Sequence, residues 1–297
     1  MSWKTVIPLI PLIAINTMFM VMLPVFALKV RRSGLPANTD AKKHSGLIGK
    51  FFHLYLLWMI GPVERWLVRR RVSPNLLTGL SVLLSLGAAV ALAMGHFGRG
   101  GWMYLFNGIV DIFDGRVARA TGRVSDAGAF ADSVADRLAE AAIFGGLAWY
   151  YRDRWVLLLV LLAMTTSFLV SYTRARGESL GLRGADIGAM QRPERIVFMG
   201  LGLVFSPVVT IMVSPATGHM RWPTVAGLAL VALASAGTAL HRFRFAFTNL
   251  ERDAAKSVTA IRGKSSAPMT SVPATPAPSE TQSEPEVAAV PPAARAR

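Results

Sequence analysis

Apolar stretches long enough to cross a membrane recur along the chain. Crossing the hydrocarbon as a helix takes roughly 20 mostly apolar residues. Seven stretches come near that length: 5–28, 74–94, 102–119, 128–151, 155–172, 196–213 and 224–240. Most of the connections are short, which predicts antiparallel neighbours. Stretches 102–119 and 128–151 contain acids and read weakly on hydropathy alone. The segment 51–63 is free of Asp, Glu, Lys and Arg but too short to span. Tyr55 and Trp58 within it, and Glu64, Arg65, Trp66 and Arg69 to Arg71 after it, suit a helix lying in the membrane interface. The first stretch follows Lys4, lacks a small-residue cleavage site and runs into Lys29, Arg31 and Arg32, so an uncleaved anchor is expected rather than a signal peptide. After about Arg262 the chain turns rich in Pro, Ala, Ser, Thr and Glu, which cannot build a core and is expected to be disordered.

Composition narrows the class. Of 297 residues, 53% are apolar and only 16% charged, where a soluble domain has about 25% charged. Such a chain has too little polar surface to cover itself in water, which excludes a pair of soluble domains and points to a polytopic membrane protein. There is no cysteine, so disulfide frameworks and thiolate metal sites are excluded. The net charge of +15 could indicate nucleic acid, but its placement says otherwise. With the basic segment after the first stretch set in the cytoplasm, only Lys4, Arg99, Arg152, Arg154 and Arg221 fall outside. That is a positive-inside pattern, with a basic face toward anionic head groups and no nucleic-acid partner.

Acids within membrane runs are costly and default to function. Asp111 and Asp114 lie three apart near the cytoplasmic end of the third stretch, and Asp132 and Asp136 four apart near the start of the fourth. These spacings place each pair on one helix face. A turn in the connector, which holds Thr121, Gly122 and Ser125, would bring the pairs to the same depth. Four facing carboxylates repel unless a cation sits between them, and Mg²⁺ or Mn²⁺ is the natural choice for oxygen ligands. Such ions clamp phosphates. Gly115 permits close backbone approach, Ala118 keeps the next turn small, and the Arg119 fork can pair with phosphate. Arg137 and Glu140, three apart, are expected to pair with each other.

The pattern Asp111-x-x-Asp114-Gly115-x-x-Ala118-Arg119, then eight residues, then Gly128-x-x-x-Asp132-x-x-x-Asp136, resembles the full signature of the CDP-alcohol phosphatidyltransferase family. The resemblance implies a six-helix membrane bundle, generally homodimeric, with its active site open to the cytoplasm. It implies that Asp111, Asp114 and Asp132 bind two metal ions, and that Asp136 is the general base and also touches metal. Gly115, Ala118 and Arg119 would line the CDP site. Ser73-Pro74-Asn75-Leu76-Leu77-Thr78 reads as ordinary helix capping, but the family has a similar element at the nucleotide, which adds Asn75 and Thr78. Ser125 would reach the diphosphate. The expected organisation is an anchor at 1–32, a cytoplasmic linker with the interfacial helix at 33–72, a six-helix catalytic domain at 73–245 and a tail at 246–297. The expected fold is all-α and polytopic, in a bacterial cell membrane.

Arg174 and Arg176 end the fifth stretch, and Arg192 and Arg195 open the sixth. Several arginines on the face of the aspartates fit an anionic, phosphorylated acceptor, although anchoring by positive charge explains them equally well. This region resembles bacterial phosphatidylinositol phosphate synthases, which implies CDP-diacylglycerol as donor and inositol 1-phosphate as acceptor. Pro193 and Gly177 depart from that pattern. Glycerol 3-phosphate, serine, or transfer from a CDP-alcohol to diacylglycerol stay open as alternatives. A cation transporter is the rival of another class, but it would spread its acids across the membrane rather than gather them at one face.

Overall fold

The computed structural model describes residues 10–33, 50–182, 184, 187–213 and 220–265. Two compact units divide the chain, Met1–Glu251 and Arg252–Arg297. Eight helices and no strand occur among the described residues. They are α1 (Ile10–Ser33), α2 (Lys50–Arg69), α3 (Pro74–Ala93), α4 (Phe97–Ala120), α5 (Asp126–Tyr150), α6 (Val156–Ser179), α7 (Arg192–Val213) and α8 (Trp222–Ser265). The described residues are thus all-α.

Among the described residues, four segments are long and apolar enough to cross a membrane, as an integral membrane protein requires: Pro74–Ala93, Val156–Ser179, Arg192–Thr210 and Trp222–Arg252. Helices α4 and α5 complete the bundle between them even though their acids lower their hydropathy. On α3, Leu76, Leu80, Leu83, Leu86 and Val90 are exposed, as are Leu158, Leu162 and Leu169 on α6. In water these rows would be a liability; against lipid tails they are the expected exterior.

Helix ends follow from local chemistry. Ser73 leads into α3 with Pro74 at its first turn, where the missing N–H costs nothing. Helix α4 ends at Gly122, whose φ of +67° suits glycine, while the Arg123 amide donates to the Ala118 carbonyl at 2.9 Å. Ser125 then caps α5 by accepting from the Gly128 amide at 3.1 Å. The α4–α5 connector is therefore a tight helical hairpin.

Helices α3, α4 and α5 pack together, and α4 also packs on α7. Along the α4–α7 seam, a Cβ added to Gly101 would lie 2.8 Å from the Val204 amide nitrogen, and one added to Gly108 would lie 2.9 Å from Ile196 Cγ2. Both positions need glycine for the backbones to come this close. The main core gathers Leu92, Phe97, Tyr104, Ile143, Leu147, Val160, Leu203 and Leu228. Helix α2 packs through Ile60 and Leu67 against Leu77, Phe113 and Val117, and α1 reaches α2 through Phe26, Leu54 and Tyr55.

Three expectations change. The segment 51–63 belongs to a longer helix, α2. Helix α8 continues past Phe245 to Ser265, so residues 246–265 are helical rather than tail. That stretch holds four alanines, two arginines and two lysines, and the first proline after it is Pro268. Arg137 does not pair with Glu140. The Arg137 guanidinium donates to the Ser133 carbonyl at 2.6 Å and lies 3.9 Å from Asp136, while Glu140 is taken by Arg195. A buried cation on a neighbouring helix outcompetes an exposed pair on the same helix. The start of the anchor, residues 34–49 of the linker and the tail from 266 lie outside the described residues.

Candidate active site

The hairpin of α4 and α5 brings the carboxylates together. One oxygen each from Asp111, Asp114 and Asp132 lies within 4.8 Å of the others. Asp114 is buried, and Asp111 and Asp132 are half-buried. Asp114 is held from two sides: the Thr78 hydroxyl of α3 donates to its Oδ2 at 2.8 Å, and the Gly115 amide donates to its Oδ1 at 2.6 Å. The Pro74 start that orients α3 thereby sets Thr78 against a site carboxylate.

Asp136 stands one turn further along α5, outside that trio. Arg192, at the start of α7, joins it to the others. Its Nη1 lies 2.5 Å from Asp111 Oδ2 and 2.7 Å from Asp136 Oδ1. Arg192 was expected as an acceptor contact; here it is a bridge across the carboxylate cluster.

Arg195, expected in the same role, is buried in a bidentate pair with Glu140 of α5, at 2.7 and 3.2 Å, and its side chain is only 2% exposed. It serves the scaffold and does not face a solvent-filled pocket. Arg174 is tied to Glu178 at 2.9 Å, and Arg176 is exposed.

The nucleotide candidates are spread along the same end of the bundle. Asn75 is exposed on the first turn of α3. Arg119 lies along α4 over Gly115, where an added Cβ would come 3.4 Å from Arg119 Nη1. Ala118 is half-buried. Ser125 is engaged as the α5 cap but, having accepted one hydrogen bond, keeps its own O–H to donate.

Several supporting residues lacked a readable signal. Glu64 of α2 receives the Arg116 guanidinium at 2.6 Å and so ties α2 to the helix turn that carries Gly115. Arg242 of α8 is buried and donates to the carbonyls of Ile187 and Val170, both at 2.7 Å. Thr238 Oγ1 accepts from the Met190 amide at 3.1 Å. Helix α8 thus holds the segment that leads into α7 and fixes the place from which Arg192 reaches the aspartates. In the sequence Arg242 reads only as a topology charge.

The donor set suits a hard divalent cation: carboxylates alone, with no His or Cys ligand in the group. Four carboxylates outnumber the guanidinium of Arg192 that bridges them and that of Arg137 at their edge, and a cation among them relieves the remaining repulsion.

Comparison with known proteins identifies the family. Residues 71–205 match the profile of the CDP-alcohol phosphatidyltransferase family. The chain is 34% identical over 193 residues to a phosphatidylinositol phosphate synthase of Mycobacterium tuberculosis, a stretch covering 63% of this chain and 85% of that one. It is 35% identical over 150 residues to an archaetidylinositol phosphate synthase of Pyrococcus horikoshii, covering 50% and 79% of the two chains. The crystal structure of the M. tuberculosis synthase with CDP-DAG bound superposes with a TM-score of 0.54 at 32% identity, covering 63% of this chain and 92% of that one. The same synthase in complex with manganese and citrate gives 0.54 at 31% identity, covering 63% and 88%. The aspartate cluster and the manganese-bound relative together indicate dependence on a divalent metal. The chain belongs to the CDP-alcohol phosphatidyltransferase family and is a transferase of that class.

Proposed function

We propose that this protein transfers the phosphatidyl group of CDP-diacylglycerol to the hydroxyl of inositol 1-phosphate and releases CMP. The observation that carries the reading is the convergence of Asp111, Asp114 and Asp132 at the end of one hairpin, in a chain similar to phosphatidylinositol phosphate synthases. These three aspartates, with Asp136 beside them, would hold two Mg²⁺ or Mn²⁺ ions. When bound, the ions supply charge neutralisation at the diphosphate.

The protein's own groups do the rest. The Asp136 carboxylate accepts the proton of the acceptor hydroxyl. The new O–P bond forms to the phosphatidyl phosphorus, the bond to the CMP oxygen breaks, and CMP leaves with that electron pair. Thr78 and the Gly115 amide keep Asp114 oriented. Arg119 places its fork beside Gly115 for the diphosphate, with Asn75, Ala118 and Ser125 along the nucleotide's path. Arg174, Arg176 and Arg192 offer positive charge to the acceptor phosphate. The basic segments on this face support a cytoplasmic site, and the likeness to the family supports a homodimer.

The test is CMP release by the purified protein with CDP-diacylglycerol and either Mg²⁺ or Mn²⁺, across inositol 1-phosphate, glycerol 3-phosphate and serine. Turnover with inositol 1-phosphate, lost on chelation and restored by either ion, is expected. Turnover only with another acceptor would replace inositol 1-phosphate. No product with any acceptor, or full activity in Asp136→Ala, would end the mechanism.

A further inference from the structure

We infer that Arg192 and a divalent cation compete for Asp111 and Asp136, and that the cation's entry hands the guanidinium over to the acceptor. The acceptor half of this rests on the function proposed above; the competition half does not.

The carboxylate cluster has two unlike sides. On one side Asp111, Asp114 and Asp132 converge among themselves. On the other, Arg192 Nη1 touches both Asp111 and Asp136. Asp111 belongs to both sides. A guanidinium and a divalent ion cannot share the same oxygens, because like charges at contact distance repel strongly. Ion binding on the trio side leaves Asp136 with Arg192; ion binding on the Asp136 side has to displace it.

The backbone around Arg192 is held, so its side chain is what moves. Arg195, one turn on, is locked to Glu140. Ile196 sits against Gly108 on α4. The Met190 amide is bonded to Thr238. The Arg192 side chain itself is 21% exposed and long enough to swing about its fixed root. Once released, a guanidinium is a suitable fork for a phosphate monoester. The two cation sites should therefore differ in affinity, the weaker one being set by an arginine of α7 rather than by the aspartates alone.

The experiment is a Mn²⁺ titration of the purified protein in detergent without lipid substrates, following the free-ion paramagnetic signal. Wild type should show a tight and a weak class of site. Arg192→Gln should tighten the weak class by about five- to tenfold and leave the tight class unchanged, since one opposing charge has been removed. Arg192→Met, similar in length and uncharged, should do the same, and Arg192→Lys, which keeps a cation, should stay within about twofold of wild type. A gain in affinity cannot come from misfolding. Weak-class affinity in both uncharged variants equal to or below that of wild type overturns the competition. At saturating Mn²⁺, Arg192→Gln should raise the inositol 1-phosphate KM at least tenfold with the CDP-diacylglycerol KM within about twofold. An unchanged acceptor KM overturns the handover. Tightened Mn²⁺ binding without turnover of any acceptor supports the competition and removes the proposed function instead.

Discussion

At its first turn α7 meets only charge: Arg192 lies between Asp111 and Asp136, and Arg195 against Glu140. Towards its other end the same helix meets hydroxyls. Ser206 and Thr224 lie 2.7 Å apart, the Thr224 amide donates to Ser206 at 3.1 Å, and Arg221 donates to Thr210 at 3.2 Å. The hydroxyl end answers its polar groups largely from within the protein and joins α7 to the start of α8. The charged end does not, because its carboxylates outnumber the arginine that bridges them and call for ligands from outside. Both ends are polar and both lie within a membrane bundle. Only the one with unmatched charge is the candidate site, which is how an intramembrane polar cluster can be sorted into scaffold or site.

That contrast can be broken in graded steps. Asp111→Asn, Asp132→Asn and Asp136→Ala should each lower CMP release on the order of a thousandfold or more while thermal unfolding in detergent stays close to wild type. Losing either partner of the buried pair, as in Glu140→Ala or Arg195→Ala, should act on the fold instead, at about 3–5 kcal/mol read from denaturant or thermal unfolding. Thr78→Val removes one hydrogen bond from Asp114 and should raise the Mn²⁺ concentration for half-activation about five- to tenfold, with a smaller change in maximal rate. Ser206→Ala, at the hydroxyl end, should cost about 0.5–1.5 kcal/mol of stability and leave CMP release unaltered. A large activity loss from the last variant would mean that the two ends are not separable.

Much of this was readable before any coordinates. The four aspartates, their faces and the hairpin between them follow from spacing and from turn residues, both of which are local. What was hidden depends on neighbours distant in the chain. Arg192 and Arg195 look equivalent as consecutive basic residues, yet three steps of a helix turn one toward the aspartates and the other toward Glu140, and nothing local tells them apart. Glu140 has a plausible partner three residues back and ignores it for one 55 residues on. Arg242 reads as an orienting charge until the carbonyls of Ile187 and Val170 are seen around it. The helix beyond Phe245 was obscured by the proline-rich composition that follows it.

The glycine seam between α4 and α7 has a mechanical meaning. Backbones in such contact have no slack for sliding, so α4 acts as a fixed spine against which α7 is registered. The two aspartates of α4, Asp111 and Asp114, are thereby set at a fixed distance from the root of Arg192. Substrates of different size have to be accommodated by side chains and by the lipid-facing helices.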